Sequence, residues 1–132
     1  MNINHVTILV ADKQRSEDFY TNVLGFEKQN GIGSALWIKV GEQFIHITTN
    51  SGAPVPGTFY HVAIAIEHLK IYLQGLIANG VDVFDLDSNQ QQIRTNVDLD
   101  VQIRQFFVRD PDGNLIEFCD VSNPFFQGKI VP

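Results

Sequence analysis

The chain has 132 residues, of which 44% are hydrophobic, ten are Phe and 18% are charged. That is ample apolar material for one compact domain and too much for a disordered chain. The formal net charge of −6 repels phosphate backbones and anionic lipid, so no nucleic-acid and no membrane partner is expected.

The first stretch, MNINHVTILVADKQ, has neither a basic leader nor a cleavage site. No apolar run approaches the roughly 20 residues that a membrane helix needs. Cys119 is the one cysteine, so no disulfide framework exists and a reducing compartment fits. These features predict a soluble cytoplasmic protein. Ile3–Val10 is patterned as a strand. Asp12 suits the cap of a following helix, whose apolar stripe is Phe19, Tyr20, Val23 and Leu24, and Gly25 suits its stop. Short strands are expected at Phe26–Gln29, Ala35–Val40 and Phe44–Thr48. The Gly- and Pro-rich stretch NSGAPVPG marks a linker, taken as residues 51–58.

After the linker the order repeats. Phe59–Ile66 is a strand. Leu69, Tyr72, Leu73, Leu76 and Ile77 recur at helical spacing, and Gly80 stops the helix. Val81–Phe84 is a short strand. Residues 85–102 are polar and unpatterned, which predicts a long loop of the lid kind. Ile103–Val108 and Leu115–Cys119 are strands joined by the turn DPDGN. Phe125 and Phe126 in the tail ought to be covered by something. The expected organisation is a single domain over 1–132, with a first module at 1–50, the linker at 51–58, a second module at 59–120 and a tail at 121–132.

The halves align residue to residue. HVTILV matches HVAIAI, which puts His5 on His61. ALWIKVGEQFIHI matches FFVRDPDGNLIEF, which puts His46 on Glu117. Such a repeat predicts two similar units about a local two-fold, with equivalent positions approaching one another. Glu117 stands on a strand face between Leu115 and Cys119, where alternation wants an apolar residue. An unpaired carboxylate there would cost several kcal/mol. Three imidazoles and one carboxylate on two pairs of symmetric strand positions predict a divalent-metal site, in which the cation is the charge partner Glu117 needs; the alternative is a His–Glu hydrogen-bonded pair in a closed core. Zn, Ni, Co, Mn or Fe would suit the donors. Thr7, Ala63 and Ala65 are small neighbours that leave space for a small organic substrate. His68 is expected to be a solvated helix-start residue, and Cys119 a buried, inert thiol.

The stretches HVTILVADKQRSEDFYTNVLGFE, QFIHI, HVAIAI and FFVRDPDGNLIEF resemble the vicinal oxygen chelate superfamily of glyoxalases, fosfomycin-resistance thiol transferases, extradiol dioxygenases and bleomycin-resistance proteins. The resemblance implies an α+β fold of two paired βαβββ modules, with curled mixed sheets around a metal cavity. It carries the ligand positions onto His5, His46, His61 and Glu117. It further implies a metal-dependent, glyoxalase-like lyase or isomerase that chelates adjacent substrate oxygens and stabilises an enediolate, with Glu117 and His46 as catalytic groups. Bacterial glyoxalase I carries glutamate where this chain has His46. A dioxygenase would use His5, His61 and Glu117 on Fe(II), with His46 as acid or base. A thiol transferase would need an anion pocket, for which Arg94 and Arg104 are candidates beside Thr7 and Ala63 as substrate contacts. A non-catalytic antibiotic-binding protein is a further alternative. Small members of the superfamily commonly form homodimers, some completing each site with one module from each chain.

Overall fold

Asp12 ends the first strand by starting a helix. Its backbone is extended, at φ −129° and ψ 106°, and its side chain accepts the Arg15 N–H at 3.1 Å, as a helix cap does. The computed structural model describes residues 1–31, 33–49, 59–98, 101 and 104–124. The expected linker and the tail aromatics Phe125 and Phe126 lie outside the described residues. The chain divides into two units, residues 1–60 with 109–114 and residues 61–108 with 115–132.

The first unit holds β1 (His5–Val10), α1 (Lys13–Asp18), β2 (Glu27–Gln29), β3 (Leu36–Val40) and β4 (Gln43–Thr49). Its sheet runs β1-β4-β3-β2, with β1 and β4 parallel and the other pairs antiparallel. Strand alternation separates two faces. Val10, Leu36, Ile38, Ile45 and Ile47 are buried on one face, and α1 packs on β4. His5, Thr7, Trp37, Phe44 and His46 share the other.

The helix expected to run to Gly25 changes its winding on the way. After α1, Phe19–Val23 forms a π turn, in which the Leu24 N–H reaches the Phe19 carbonyl at 2.9 Å, and beyond it the Phe26 N–H reaches back to the Tyr20 carbonyl at 2.9 Å. Gly25 then takes φ +79°, the left-handed stop that glycine tolerates. Tyr20, inside the wide turn, is fully buried.

The second unit holds β5 (His61–Ile66), α2 (Leu69–Ala78), β6 (Phe84–Leu86), β7 (Gln92–Arg94), β8 (Phe106–Arg109) and β9 (Leu115–Asp120). Its sheet runs β5-β9-β8-β6-β7, so four strands repeat the order of the first sheet and β7 is added. The repeat holds at the level of register. Thr7 faces His46 and His5 faces Phe44 in the first unit; Ala63 faces Glu117 and His61 faces Leu115 in the second. Leu69, Leu73 and Leu76 are the buried side of α2, while Ile77, at the border of the expected stripe, stays 45% exposed.

Two expectations are corrected here. The strand expected at Val81–Phe84 begins only at Phe84, because the preceding residues close α2. Gly80, at φ +84°, donates to Ile77, and Val81 donates to the Leu76 carbonyl at 3.0 Å, a Schellman cap. Residues 85–102 are not one unpatterned loop either. Phe84–Leu86 and Gln92–Arg94 pair as a hairpin, whose turn is held by Asp87 Oδ1 accepting the N–H groups of Asn89 and Gln91 at 2.8 and 2.9 Å. Among the described residues no helix is long and apolar enough to cross a membrane.

The DPDGN turn does more than reverse the chain. Asp110 is 4% exposed and lies in the first unit. Its Oδ1 accepts the N–H groups of Asp112 and Asn114 at 2.9 and 2.8 Å. Its Oδ2 accepts the Tyr20 hydroxyl at 3.0 Å and Asn114 Nδ2 at 2.8 Å. Asp112 Oδ1 accepts the Ala11 N–H at 3.0 Å and Arg15 Nη2 at 2.9 Å, and Asn114 Nδ2 also reaches the Leu9 carbonyl at 3.1 Å. Burial pushes the Asp110 carboxyl up, against hydrogen bonds from Asn114, Tyr20 and Asp112 that pull it down.

Candidate functional site

The open face of the first sheet carries His5 and His46. The Nδ1 of His5 lies 2.8 Å from Asn4 Oδ1, and as the donor it leaves Nε2 with a free lone pair. The Nδ1 of His46 lies 3.2 Å from Thr7 Oγ1, a hydroxyl that can either donate to or accept from that ring. Trp37 stacks on His46, with ring centroids 4.4 Å apart and planes 15° from parallel. His5 meets Trp37 edge-on at 5.2 Å and lies 5.9 Å from His46, centroid to centroid. Register produces this grouping, since both Thr7 and Trp37 sit directly opposite His46 on its neighbouring strands.

The second sheet carries the other pair. His61 Nε2 donates to Glu117 Oε2 at 2.8 Å. Glu117 is 2% exposed, and its Oε1 is buried with no hydrogen-bond partner among the described residues. Ala63, opposite Glu117, is exposed, as is Ala65, so nothing bulky from β5 stands in front of the carboxylate. Phe84, Phe107 and Leu115 form the apolar cluster beside the pair, and the His61 ring meets Phe107 edge-on at 5.8 Å. Cys119, next along the same face, is buried as expected. Burial pushes its thiol up to about 11, with Glu117 and Asp120 adding to the effect.

The residues present fit a divalent cation. A buried carboxylate oxygen without a donor is a costly arrangement that a cation relieves. Two donors bound to one ion at about 2.0–2.2 Å each lie roughly 3 Å apart, close to the 2.8 Å spacing of His61 and Glu117. The expected ligands come together in twos, His5 with His46 and His61 with Glu117. Among the described residues no group of three or more His, Cys, Asp or Glu side chains is gathered closely enough to hold an ion.

Arg94 lies exposed on β7, opposite Phe84 and on the face of Glu117, but three strands away from β9, roughly 14 Å at ordinary strand spacing. Arg104 is exposed ahead of β8. His68 is exposed at the start of α2, as expected, in a left-handed conformation with φ 54°. Asn4 and Trp37 were not among the candidate residues of the sequence. Trp37 had a legible signal. The two-residue turn at Gly41, with φ +60°, sets the β3–β4 register, and that register places residue 37 opposite residue 46.

Comparison with known proteins gives consistent matches. A family model described as Glyoxalase/Bleomycin resistance protein/Dioxygenase superfamily matches residues 2–118. The virulence protein STM3117 of Salmonella typhimurium is 28% identical over 122 residues, covering 87% of this chain and 81% of that one. A crystal structure of a Bacillus anthracis protein assigned to the glyoxalase family has a TM-score of 0.71 at 26% identity, covering 89% of this chain and 93% of that one. TnmS3, an antibiotic binding protein from Streptomyces sp. CB03234, shares the fold with a TM-score of 0.67 at 21% identity, over 91% of this chain and 95% of that one.

Proposed function

Because the chain belongs to the glyoxalase/bleomycin resistance protein/dioxygenase superfamily, we propose that it is a metal-dependent, glyoxalase-like enzyme acting on a small molecule with two adjacent oxygens. The buried Glu117 carboxylate, with one oxygen on His61 and the other without a donor, carries this reading. His5, His46, His61 and Glu117 would hold one divalent ion. Each half-site supplies two donors and an ion takes three or four, so both half-sites are needed, from one chain or from two chains of a homodimer. When bound, the ion polarises the substrate oxygens and stabilises the oxyanion that develops in the reaction.

The remaining work falls to the protein. Glu117 is the one carboxylate of the candidate site, so it would serve both as a ligand to the ion and, once released from it, as the base that takes and returns a proton at the substrate carbon. Ala63 and Thr7 leave room for the substrate. Asn4 and Thr7 hold the two imidazoles through Nδ1, and Trp37 fixes the plane of His46. In a three-donor arrangement of His5, His61 and Glu117, His46 serves instead as acid or base. Arg94 and Arg104 are available to an anionic end of the substrate.

The Thr7 hydroxyl is a positioning group with a measurable effect. Thr7→Val is expected to weaken ion affinity about 10- to 100-fold, as loss of a group orienting a ligand does. Competition with a chelator measures it, and Thr7→Ser should restore the affinity.

The reading is tested by elemental analysis and thermal unfolding of purified protein. One ion per chain is expected, and saturating it at 100 times the dissociation constant should add about 2.7 kcal/mol of stability. Protein that holds no stoichiometric ion, with a melting temperature indifferent to chelator, overturns the reading. Proton exchange at a hemithioacetal carbon then marks glyoxalase chemistry, and oxygen uptake with a catechol marks dioxygenase chemistry. Light scattering at micromolar concentration tests the homodimer. A second reading, sequestration of a small molecule without turnover, is favoured by one observation: His61 Nε2 and Glu117 Oε2 already pair with each other at 2.8 Å. It predicts tight binding that chelator leaves unchanged, and one fold relative is an antibiotic binding protein.

A further inference from the structure

We infer that the first unit carries a pocket for the planar, uncharged aromatic part of a ligand, built on Trp37 beside His5 and His46. The inference deepens the reading above and takes from it only that the ligand is a small molecule. A cavity of about 300 Å³ is lined by Asn4, Gln29, Asn30, Gly31, Trp37 and Phe44. That volume is at the lower end for small-molecule pockets, which suits a ligand of one or two rings.

The lining selects the chemistry. Trp37 and Phe44 stand edge to face, with centroids 6.2 Å apart and planes at 83°. A flat ring entering beside them gains both a stacking and an edge contact. The polar groups are the side-chain carboxamides of Asn4, Gln29 and Asn30, which donate to and accept from neutral hydroxyl or carbonyl substituents. None of the six lining residues is charged, so the pocket offers no counter-ion to a carboxylate or phosphonate.

Gly31 makes the wall possible. A Cβ at this position would lie 2.7 Å from Trp37 Cδ1, inside any tolerable contact. Its φ is not left-handed, so space alone forbids a side chain there. Glycine lets the segment after β2 lie against the indole, while the same indole stacks on His46 and receives the edge of His5. Trp37 is thus shared by the pocket and the two histidines, and a ring seated against it lies next to both.

Trp37 is the one tryptophan of the chain, so its fluorescence reports on this pocket and on the two histidines beside it, and the amide shifts separate the two. The experiment titrates 2,3-dihydroxynaphthalene into chelator-treated and ion-loaded protein, following that fluorescence together with backbone amide NMR shifts. The expected result is saturable quenching in both forms, with the largest shifts at Asn4, Gln29, Asn30 and Gly31. Phe44→Ala, on the open face, and Gly31→Val should each weaken binding about tenfold, the loss of one good aromatic contact. Glutathione, which is aliphatic and anionic, should not compete. Absence of saturable quenching, shifts centred in residues 61–98, or equal competition by glutathione overturns the inference. Ion bound without binding of the diol refutes this inference and leaves the metal reading standing. Diol bound by a chain that holds no ion does the reverse.

Discussion

Glu117→Gln is expected to empty the chain of its ion and to leave the metal-free protein no less stable than before. The two effects come from the same atoms. The carboxylate is 2% exposed, and one of its oxygens meets no donor among the described residues. In metal-free protein that oxygen is a liability, and exchanging a buried charge for a neutral group of equal shape is commonly neutral or stabilising. The amide still accepts a hydrogen bond from His61 through its oxygen. The expected change in unfolding free energy therefore lies between zero and a gain of roughly 2 kcal/mol. As a ligand the amide has lost its charge, and affinity for a divalent ion should fall by at least about 100-fold. Urea unfolding in chelator and ion content after dialysis measure the two halves. His61→Ala is the control, expected to cost about 2–3 kcal/mol in chelator because it strands the charge; the figure is reduced for an imidazole that is 21% exposed. A Gln variant that keeps its ion shows that Glu117 is not a ligand. One that loses several kcal/mol in chelator shows that the carboxylate is structural.

Asp110→Ala is the second large effect, and it is one of stability. Four donors lose their acceptor at once: the Tyr20 hydroxyl, the backbone N–H groups of Asp112 and Asn114, and the Asn114 side-chain amide. A cooperative buried network of this kind should cost about 3–5 kcal/mol when its hub is removed. Tyr20→Phe, which removes only one member, should cost about 1 kcal/mol. The neighbouring pair of Arg15 with Asp112 provides the contrast. The Arg15 side chain is 49% exposed, so screening by water leaves its ion pair worth under about 1 kcal/mol. Arg15→Ala should accordingly shift the denaturation midpoint only slightly. If Asp110→Ala costs no more than Arg15→Ala, the network is not cooperative.

Much of this arrangement is legible in the sequence. The duplication puts His5 on His61 and His46 on Glu117, and the registers repeat those equivalences strand by strand. Alternation divides β3, β4 and β5 into a more and a less buried side, whereas β9 is buried throughout, and Asp12 and Gly25 declare the ends of the first helical segment. Three features were hidden, each for a physical reason. The hairpin of Phe84–Leu86 with Gln92–Arg94 has strands of three residues, too short to show a period. The π turn depends on Tyr20 reaching Asp110, ninety residues away, which no local pattern reports. The same holds for Asp110 itself. Asp, Pro and Gly together announce a turn, and turns are read as exposed, whereas Asp110 within this one is buried by what it binds. For the candidate site, residue type and strand face were readable. Trp37 could have been found from the register that the β3–β4 turn sets, and Asn4, which bonds its chain neighbour His5, carries no pattern that marks it.

The reach of Asn114 to the Leu9 carbonyl, and of Asp112 to the Ala11 amide, has a consequence for the nascent chain. The first fifty residues emerge from the ribosome some sixty residues before these partners do, a delay of several seconds at ordinary rates of synthesis. Through that interval the Tyr20 hydroxyl and the end of the first strand have only water or chaperones to satisfy them. The duplicated halves therefore do not mature one after the other, since the earlier half is completed by a loop translated after most of the later half.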